Sequence, residues 1–453
     1  MSDWKKVKIG DFLTESKIIA EYSDAEHRIT VRLNCKGIEK RDLKVEKEGA
    51  TKYFIRKAGQ FIYGKQNIHK GAFGIIPQEL DGYTSSADLP SFDFDLSKCN
   101  PEWLCLCLKV DERYKKLQKN VKGVGSQRLA VNDFLKQEIL LPDLSTQKEI
   151  VKVLSKKIEK VELIKSEIES QKSYVKLLRQ NILQDAIEGK LTEDWRKENP
   201  VVKGNPDFDA EALFEKIQEE KRHTDSELPL ETSLRIRNSK KKVFEPISEN
   251  EQPFEIPEGW KWVRLGEICE KITDGTHKTP KYTNSGVKFV SAKDIYNKEL
   301  DFSHCKYISE NEHRELYKRC NPEYNDLLIS KSGSIGTVAL NNVKYEFSLF
   351  ESLALVKYNQ KLMLPKFMQY AVQYICNNLT ASDIKGVCVK HLHLNVLSSQ
   401  ILSVPPLAEQ KEIVSRVEKL LENVAELEKQ ITERETMTKQ LIQSIMKDAF
   451  REG

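Results

Sequence analysis

The segment LPDLSTQKEIV at residues 141–151 returns as VPPLAEQKEIV at residues 404–414, 263 positions further along the chain. At this offset the match continues without a gap over residues 141–190 against residues 404–453. A match of this length within one chain indicates an internal duplication. The sequence therefore predicts two copies of one structural unit, each ending in the same kind of segment.

Two further matches lie ahead of the duplicated ends. WKKVKIGDF at residues 4–12 corresponds to WKWVRLGEI at residues 260–268, and GVGSQRLAVN at residues 123–132 corresponds to GVCVKHLHLN at residues 386–395. Between these markers the two halves diverge. Similar ends around different middles are the result expected when a duplication is followed by change in the middles alone.

The duplicated ends predict two long helices. Apolar residues recur at steps of three and four over several heptads, which is typical of a coiled-coil helix. About 40 helical residues at about 1.5 Å each correspond to a length of about 60 Å. A polar residue interrupts each series, at Gln171 and at Arg434, and such positions often set the register of a coiled coil. The predicted apolar positions are Ile150, Leu154, Ile158, Val161, Ile164, Ile168, Val175, Leu178 and Ile182, then Ile413, Val417, Leu420, Val424, Leu427, Ile431, Leu441 and Ile445.

We expect the two long helices to pair with each other. Two copies of a unit that are related by an approximate two-fold axis place equivalent helices antiparallel, as in an isologous dimer. The helices would then form a spacer of fixed length with a lobe at each end. Two unrelated surface helices, or a coiled coil that joins separate chains, remain open as alternatives.

The regions ahead of the helices are predicted to be α+β lobes. Short apolar or β-branched runs bounded by turn residues predict strands, for example at residues 27–33, 51–56 and 325–330, and helices are predicted at residues 101–109 and 365–379. The predicted fold class is α+β, with two α+β domains alternating with two long helices that pair as an antiparallel coiled coil. The predicted segments are a first lobe at 1–142, a central helix at 143–190, a charged linker at 191–252, a second lobe at 253–404 and a distal helix at 405–453.

The predicted linker is polar, rich in charge and proline, and carries one short helix at residues 208–224. Its basic run consists of Arg235, Arg237 and residues 240–242. This run either contacts phosphate or forms a solvated face of the linker, and the sequence leaves both interpretations open.

The composition limits the class of protein without identifying a partner. The 73 Lys and Arg residues barely exceed the 69 Asp and Glu residues, so the net charge of +4 alone does not indicate nucleic-acid binding. Apolar runs are too short to cross a bilayer. The nine cysteines are odd in number and form no CxxC pair, which indicates reduced thiols. We therefore expect a cytoplasmic, multidomain protein that does not enter a membrane.

The order of these features resembles the specificity (S) subunits of type I restriction-modification systems. The family's PxLxxQxxI opening occurs as Pro142, Leu144, Gln147 and Ile150, and again as Pro405, Leu407, Gln410 and Ile413. Segments similar to those of the family also occur inside the lobes. These are YGKQNIHKGAFGIIP at 63–77, ITDGTHKTPKY at 272–282 and DLLISKSGSIGTVAL at 326–340.

The resemblance implies a DNA-recognition subunit that performs no chemistry itself. Such subunits bind a split, asymmetric sequence of double-stranded DNA, with one half-site for each lobe. They carry two methyltransferase subunits, which use S-adenosylmethionine to methylate adenine at N6, and restriction subunits that translocate and cut DNA with ATP. We therefore expect no cofactor in this chain, and we expect S-adenosylmethionine, ATP and Mg²⁺ on the partner subunits.

Candidate DNA-binding residues cluster in glycine-containing loops. Cations suit phosphate groups, and amide or bidentate side chains suit base edges, while glycines such as Gly64 and Gly71 permit a close backbone approach. The clusters recur at matching positions in both lobes, although each one alone is also typical of an ordinary polar loop. The predicted DNA-binding residues are Lys65, Gln66, Asn67, His69, Lys70, Gln127 and Arg128 in the first lobe, and Thr276, His277, Lys278, Lys331, Ser332, Ser334, Lys390 and His391 in the second.

Other functions find weaker support in the sequence. NPEY at residues 321–324 differs by one residue from the NPPY-type tetrapeptide of adenine methyltransferases, but Glu323 replaces a proline and no glycine-rich cofactor turn accompanies it. Cys388, His391 and His393 are closely spaced for a metal site and have no evident fourth ligand. A coiled-coil scaffold would explain the helices but not two large, divergent lobes. We predict no catalytic, cofactor-binding or metal-binding residues.

Overall fold

The computed structural model describes most of the chain and divides it into two units. The first unit contains residues 1–172 and 430–453, and the second contains residues 173–429. The described residues are 4–21, 25–42, 52–117, 128–227, 244–380, 382–385 and 391–450. Gln127, Lys390, Cys388 and the basic run at 235–242 lie outside them.

The first lobe lies in the first unit and combines short strands with short helices. The strands are β1 (Lys5–Lys8), β2 (Leu13–Ser16), β3 (Ile29–Val31), β4 (Ile38–Lys40), β5 (Tyr53–Ile55), β6 (Phe61–Tyr63), β7 (Phe73–Ile75), β8 (Thr84–Ser86), β9 (Ser91–Phe94) and β10 (Glu138–Leu141). The helices are α1 (Pro101–Lys109), α2 (Arg113–Lys116) and α3 (Val131–Leu135). Its main antiparallel sheet has the strand order β2-β9-β6-β7, and β1 pairs with β10.

Aromatic side chains fill the core of the first lobe. Phe61 stacks on Phe134 at 5.6 Å between ring centroids, and Tyr63 stacks on Phe92 at 5.8 Å. Trp103, from α1, is fully buried in the same cluster. Removing this much aromatic surface from water is the main source of stability for a lobe built from strands of three or four residues.

The long central helix follows the first lobe, and its predicted existence is confirmed. It is α4 (Leu144–Ile187), 44 residues long. The chain then forms α5 (Glu193–Glu198) and α6 (Ala210–Glu227). Ala210, Leu213 and Ile217 of α6 are buried, so much of the segment predicted as a linker is packed within the second unit.

The second lobe lies in the second unit. Its strands are β11 (Lys261–Arg264), β12 (Cys269–Asp274), β13 (Tyr282–Thr283), β14 (Val287–Val290), β15 (Ile295–Tyr296), β16 (Glu299–Leu300), β17 (Lys306–Ile308), β18 (Leu327–Ser330), β19 (Val338–Leu340), β20 (Ser348–Leu349), β21 (Leu353–Tyr358), β22 (Ile384–Lys385), β23 (His391–Leu392) and β24 (Ile401–Val404). The helices are α7 (Leu265–Ile268), α8 (Glu310–Tyr317), α9 (Pro365–Asn377) and α10 (Leu394–Ser399). The main antiparallel sheet has the order β12-β21-β18-β19, and β11 pairs with β24.

The main sheets of the two lobes share one topology despite their different sequences. In each main sheet the first strand pairs with the last, the last with the second and the second with the third. In each lobe the strand that opens the repeat also pairs with the strand directly ahead of the long helix. The duplication read from the sequence is therefore a duplication of the fold.

The distal helix is α11 (Leu407–Ala449), 43 residues long, and it pairs antiparallel with α4. In the first unit Lys172 Nζ donates to Glu435 at 2.8 Å. In the second unit Arg179 donates to both carboxylate oxygens of Glu428, at 2.9 and 2.8 Å. Arg179 follows Lys172 in α4, whereas Glu428 precedes Glu435 in α11, so the two helices run in opposite directions. The predicted α+β fold with an antiparallel helix pair is confirmed.

The buried seam of the helix pair is narrower than predicted. Val161, Ile168 and Val175 of α4, at strict seven-residue spacing, are no more than 7% exposed. However, Ile164, Leu178, Leu427 and Leu441 are 38 to 45% exposed, so their assignment to the seam was wrong. Two antiparallel helices bury only a narrow strip of each surface, and apolar residues beside that strip stay in solvent. None of the helices in the described part of the chain is both long and apolar enough to cross a membrane.

Candidate nucleic-acid interface

The duplicated motif glutamine fixes each lobe to its long helix. Gln147 is fully buried; its Oε1 accepts from the backbone N–H of Asn100 at 2.7 Å, and its Nε2 donates to the carbonyl of Pro142 at 2.9 Å. Gln410 repeats this arrangement with the N–H of Leu364 at 3.0 Å and the carbonyl of Pro405 at 3.1 Å. Each glutamine thus ties the start of α1 or α9 to the base of a long helix.

The loop between the second and third strands of the main sheet holds predicted site residues in both lobes. In the first lobe the N–H of Lys65 donates to the carbonyl of Asp88 at 3.0 Å, and the N–H of Leu129 donates to the carbonyl of Lys65 at 2.9 Å. In the second lobe the N–H of Lys331 donates to the carbonyl of Ser352, and that of Leu392 donates to the carbonyl of Lys331 at 3.0 Å. Both lobes therefore hold this loop by the same backbone contacts.

These contacts gather predicted residues that are distant in sequence. Leu129 directly follows Arg128, and Leu392 directly follows His391. The loop after β6 or β18 therefore lies beside the segment ahead of the long helix in each lobe. This frame brings Lys65 close to Arg128, and Lys331 close to His391.

In the first lobe the loop presents polar groups around a buried anchor. Ile68 is fully buried, while Gln66 and Lys70 are exposed and Lys65, Asn67 and His69 are half-buried. Burial, with a smaller contribution from the charge of Lys70, lowers the pKa of His69. The loop ends at Gly71, which has a φ of 80°. A Cβ on Gly71 would lie 2.8 Å from the backbone N of Cys35, so larger residues are excluded there.

A cationic cavity adjoins this loop, and no local pattern in the sequence signals it. It has a volume of about 500 Å³ and is lined by Arg28, Arg41, Lys52, Tyr53 and Asp88, among others. The Arg28 guanidinium lies 4.2 Å from the centre of the Tyr53 ring. Asp88 connects the cavity to the loop, because its carboxylate also pairs with Arg128 at 3.2 Å. Three cations around one cavity favour a phosphate group.

Arg56 supports the strands beside this cavity. It is 1% exposed and donates from Nε to Ser85 Oγ at 2.7 Å and from Nη1 to Ser91 Oγ at 3.0 Å. Burial lowers the pKa of Arg56 to about 10, with nearby Glu15 opposing the change. Arg56 therefore remains charged at neutral pH and adds to the positive potential of the first lobe.

In the second lobe the predicted residues surround a buried carboxylate. Asp274 is 5% exposed and accepts from Lys331 Nζ and, at 2.8 Å, from Arg319. His277 Nε2 lies 3.2 Å from Asp274 Oδ2, and His277 Nδ1 lies 2.7 Å from Glu351 Oε2. Burial opposes ionisation of Asp274, but the hydrogen bond and charge of Lys331, with the charges of His277 and Arg319, outweigh it and hold the pKa below its usual value.

The second lobe therefore uses Lys331 differently from the way the first lobe uses Lys65. The Lys331 side chain is buried and paired with Asp274, so it joins the loop after β18 to the loop after β12. The surface residues are His277, Lys278 and Ser334, with Thr276, Ser332 and His391 half-buried. A Cβ on Gly275 would lie 2.0 Å from the carbonyl oxygen of Leu349, so only glycine permits this approach.

Two residues of the NPEY tetrapeptide make polar contacts with lysines of the second lobe. Asn321 Oδ1 accepts from Lys271 at 3.2 Å, and Glu323 pairs with Lys357 at 2.9 Å, so the NPEY tetrapeptide forms part of a charged network in the second lobe. Among the described residues no group of three or more His, Cys, Asp or Glu side chains is placed to hold a metal ion.

A protein-family model confirms the relationship that this frame suggests. Residues 1–171 and 257–434 match the model described as the type I restriction modification DNA specificity domain. The chain belongs to this family. The matched ranges cover both lobes and most of both long helices, so the family accounts for the two copies.

Individual members of the family are similar over much of this chain. The type I restriction enzyme EcoBI specificity subunit of Escherichia coli is 24% identical over 339 residues, which are 74% of this chain and 62% of that protein. The EcoKI specificity subunit of E. coli K12 is 26% identical over 69% of this chain and 57% of that protein. The matches therefore span about three fifths of the length of these relatives.

A solved structure shares the fold. A chain from a structure of a type I restriction-modification system superposes with a TM-score of 0.67 at 18% identity, over 99% of this chain and 97% of that chain. At this identity the similarity establishes the arrangement of the backbone and does not transfer any contact residue.

Proposed function

We propose that this chain is the DNA-recognition subunit of a type I restriction-modification complex and binds a bipartite, asymmetric DNA sequence. The supporting observation is the shared backbone frame of the two lobes, which carries different side chains. Lys65, Gln66 and Lys70 project from a loop beside a cationic cavity in the first lobe. The second lobe offers Thr276, His277 and Lys278 from a different loop. Two lobes that have the same backbone frame and different surface side chains suit two different half-sites.

The first lobe combines the two kinds of contact that sequence recognition requires. The cavity lined by Arg28, Arg41 and Lys52 suits a backbone phosphate, which positions the protein on the duplex. The amides of Gln66 and Asn67 suit an adenine edge, which presents a donor and an acceptor in the major groove. In the second lobe, the ion pairs around Asp274 hold Thr276 and His277 in place for the same purpose.

The helix pair supports the binding of two copies of one partner. The first unit exposes Ile164, Met437 and Leu441, and the second unit exposes Leu427, Tyr174 and Leu178. Each residue of the first set lies 263 positions from one of the second set. Exposed apolar residues are candidates for protein-protein contacts, and two equivalent exposed sets suit two methyltransferase subunits.

We place the chemistry on the partner subunits. The two methyltransferase subunits would use S-adenosylmethionine, and restriction subunits would use ATP and Mg²⁺. This chain incubated alone with S-adenosylmethionine and DNA is then expected to transfer no methyl group. Methyl transfer by the purified chain would contradict this division of labour.

The decisive experiment is to map N6-methyladenine in cells that express this chain with the methyltransferase subunit encoded beside it. We expect a split motif, modified on both strands, that disappears when this chain is omitted. Replacing residues 1–142 with the first lobe of another family member should change one half of the motif only. A change in both halves, or unchanged methylation without this chain, would refute the proposal.

A further inference from the structure

Two contacts between the long helices join residues that are copies of each other. Arg434 donates to Gln171 at 3.0 Å, and Lys172 donates to Glu435 at 2.8 Å. In both cases the partners are 263 positions apart, which is the offset of the duplication. When two copied helices pair antiparallel, each residue meets its own copy only at the mid-point. Gln171, Lys172, Arg434 and Glu435, the mid-point residues, therefore mark the centre of the pair.

The buried seam is nearly the same in the two helices. Val161 and Ile168 in α4 correspond to Val424 and Ile431 in α11, which have the same side chains. Val175 corresponds to Thr438, a residue of similar size, and all six are buried. Such a seam also suits the pairing of α4 with α4, or of α11 with α11, from a second copy of the chain. Selection between these pairings must come from polar residues beside the seam.

The mid-point residues disfavour both the pairing of α4 with α4 and the pairing of α11 with α11. In the observed register, two central helices would place Lys172 against Lys172 of the second copy. Two distal helices would place Arg434 against Arg434 and Glu435 against Glu435. Only a central helix with a distal helix gives opposite charges and a hydrogen bond at the mid-point.

The next ion pair along the helices also favours the pairing of a central helix with a distal helix. Arg179 of α4 pairs with Glu428 of α11 in the second unit. The residue of α4 that corresponds to Glu428 is Lys165. Pairing two central helices would therefore replace this ion pair with Arg179 against Lys165, a repulsion between like charges.

We propose that the mid-point residues are a pairing code that directs a central helix to a distal helix and rejects the pairing of either helix with the same helix of a second copy of the chain. Duplication of one unit leaves two nearly identical helices, each able to pair with its own kind. Charges that differ between the copies at the mid-point remove that ambiguity. The consequence is one chain with two different lobes, rather than an assembly with two equal ones.

The first test neutralises the code in the full-length chain. The triple variant Lys172→Gln, Arg434→Gln and Glu435→Gln removes two cations and one anion while leaving the apolar seam intact. Two differently tagged copies are co-expressed, and association is measured by pull-down and by the mass of the complex in solution. We expect the variant to associate with a second copy and the wild-type chain to remain single.

The matched control removes the same charges elsewhere on the same helices. Lys176, Lys429 and Glu433 are exposed, and their triple replacement by glutamine is expected to leave the chain single. Association of the wild-type chain, or equal behaviour of the two triple variants, would overturn the proposal.

A charge exchange keeps the proposal testable if the neutral variant does not fold. Lys172→Glu or Glu435→Lys alone places like charges together and is expected to lower the melting temperature by a few degrees. The combined K172E/E435K variant restores opposite charges between the helices, although it places like charges beside Glu169 and Lys439, the partners of Lys172 and Glu435 within each helix. Its loss of melting temperature should therefore be smaller than the sum of the two single losses, and it should remain single. A combined loss equal to or larger than that sum would refute the code, and none of these outcomes depends on DNA binding.

Discussion

At the scale of single residues, Asp274 decides whether Lys331 supports or disrupts the second lobe. Both residues lie in family-like segments of the sequence, and Lys331 was predicted as a DNA contact, without any sign that the two side chains pair. They are separated by 57 positions, and a contact at that distance leaves no local pattern. Lys331 as a direct DNA contact stays a prediction, but its buried ammonium makes a positioning function the first property to test.

Replacing Asp274 with Asn is expected to destabilise the second lobe by about 3 kcal/mol, because Lys331 would remain buried without its carboxylate. Urea unfolding measures this change. Under the proposed function, the variant should also lose one half of the methylation motif. Lys331→Met provides the comparison. It removes the buried cation, so it is expected to lower the free energy of unfolding by less than Asp274→Asn does. Equal stability of the wild type and Asp274→Asn would rule out this function of the pair.

The pair of Asp274 and Lys331 also predicts how the stability of the second lobe changes with pH. The folded-state pKa of Asp274 lies below its usual value, so its contribution is complete above the pKa of the unfolded chain, about 3.9. That contribution is lost as the pH falls through the lower folded-state pKa. The stability difference between the wild type and Asp274→Asn should therefore shrink as the pH falls below about 4. A difference that stays the same or grows below about pH 4 would contradict the assignment.

At the scale of secondary-structure elements, the duplicated glutamines explain why the motif around them occurs twice. Gln147→Ala removes the acceptor for the N–H of Asn100 and the donor to Pro142, and Gln410→Ala removes the equivalent pair. Each buried group left without a partner costs about 1–3 kcal/mol. We expect similar losses in the free energy of unfolding for both variants. Gln180, exposed on the central helix, provides the control, and its replacement by Ala should change stability by less than about 0.5 kcal/mol.

The elements themselves were predictable because their signals are local. The heptad pattern runs for about 40 residues in each copy, and α4 and α11 are found where it predicts them. The helix predicted at 365–379 corresponds to Pro365–Asn377, and the strand predicted at 325–330 corresponds to Leu327–Ser330. The identical strand order of the two main sheets was not predictable, because pairing between distant strands depends on side chains that differ in the two lobes. The cavity lined by Arg28, Arg41 and Lys52 was not predictable either, because its cations are scattered along the chain.

At the scale of the whole molecule, the duplication has two opposite uses. The lobes have diverged at their surfaces, which suits two different half-sites, while the outer faces of the helices have kept equivalent apolar residues. A partner that binds one unit through Leu178 finds Leu441 at the equivalent position of the other unit. The mid-point charges differ between the copies and keep the two lobes in one chain. Under the proposed function, divergence and retention occur at different sites because DNA, the repeated partner and the second helix would each impose a different requirement.

The two equivalent apolar sets predict the number of methyltransferase subunits in two matched variants. Leu178→Asp and Leu441→Asp each place a charge in one of the two exposed sets, so each should reduce the complex from two methyltransferase subunits to one, as measured by native mass spectrometry. The double variant should bind none. Leu163 is the control: it is 67% exposed, but its copy is Glu426, so an apolar side chain there is not required twice and Leu163→Asp should retain both subunits. Loss of both subunits from either single variant would show that the two sets do not act as separate, equivalent sites.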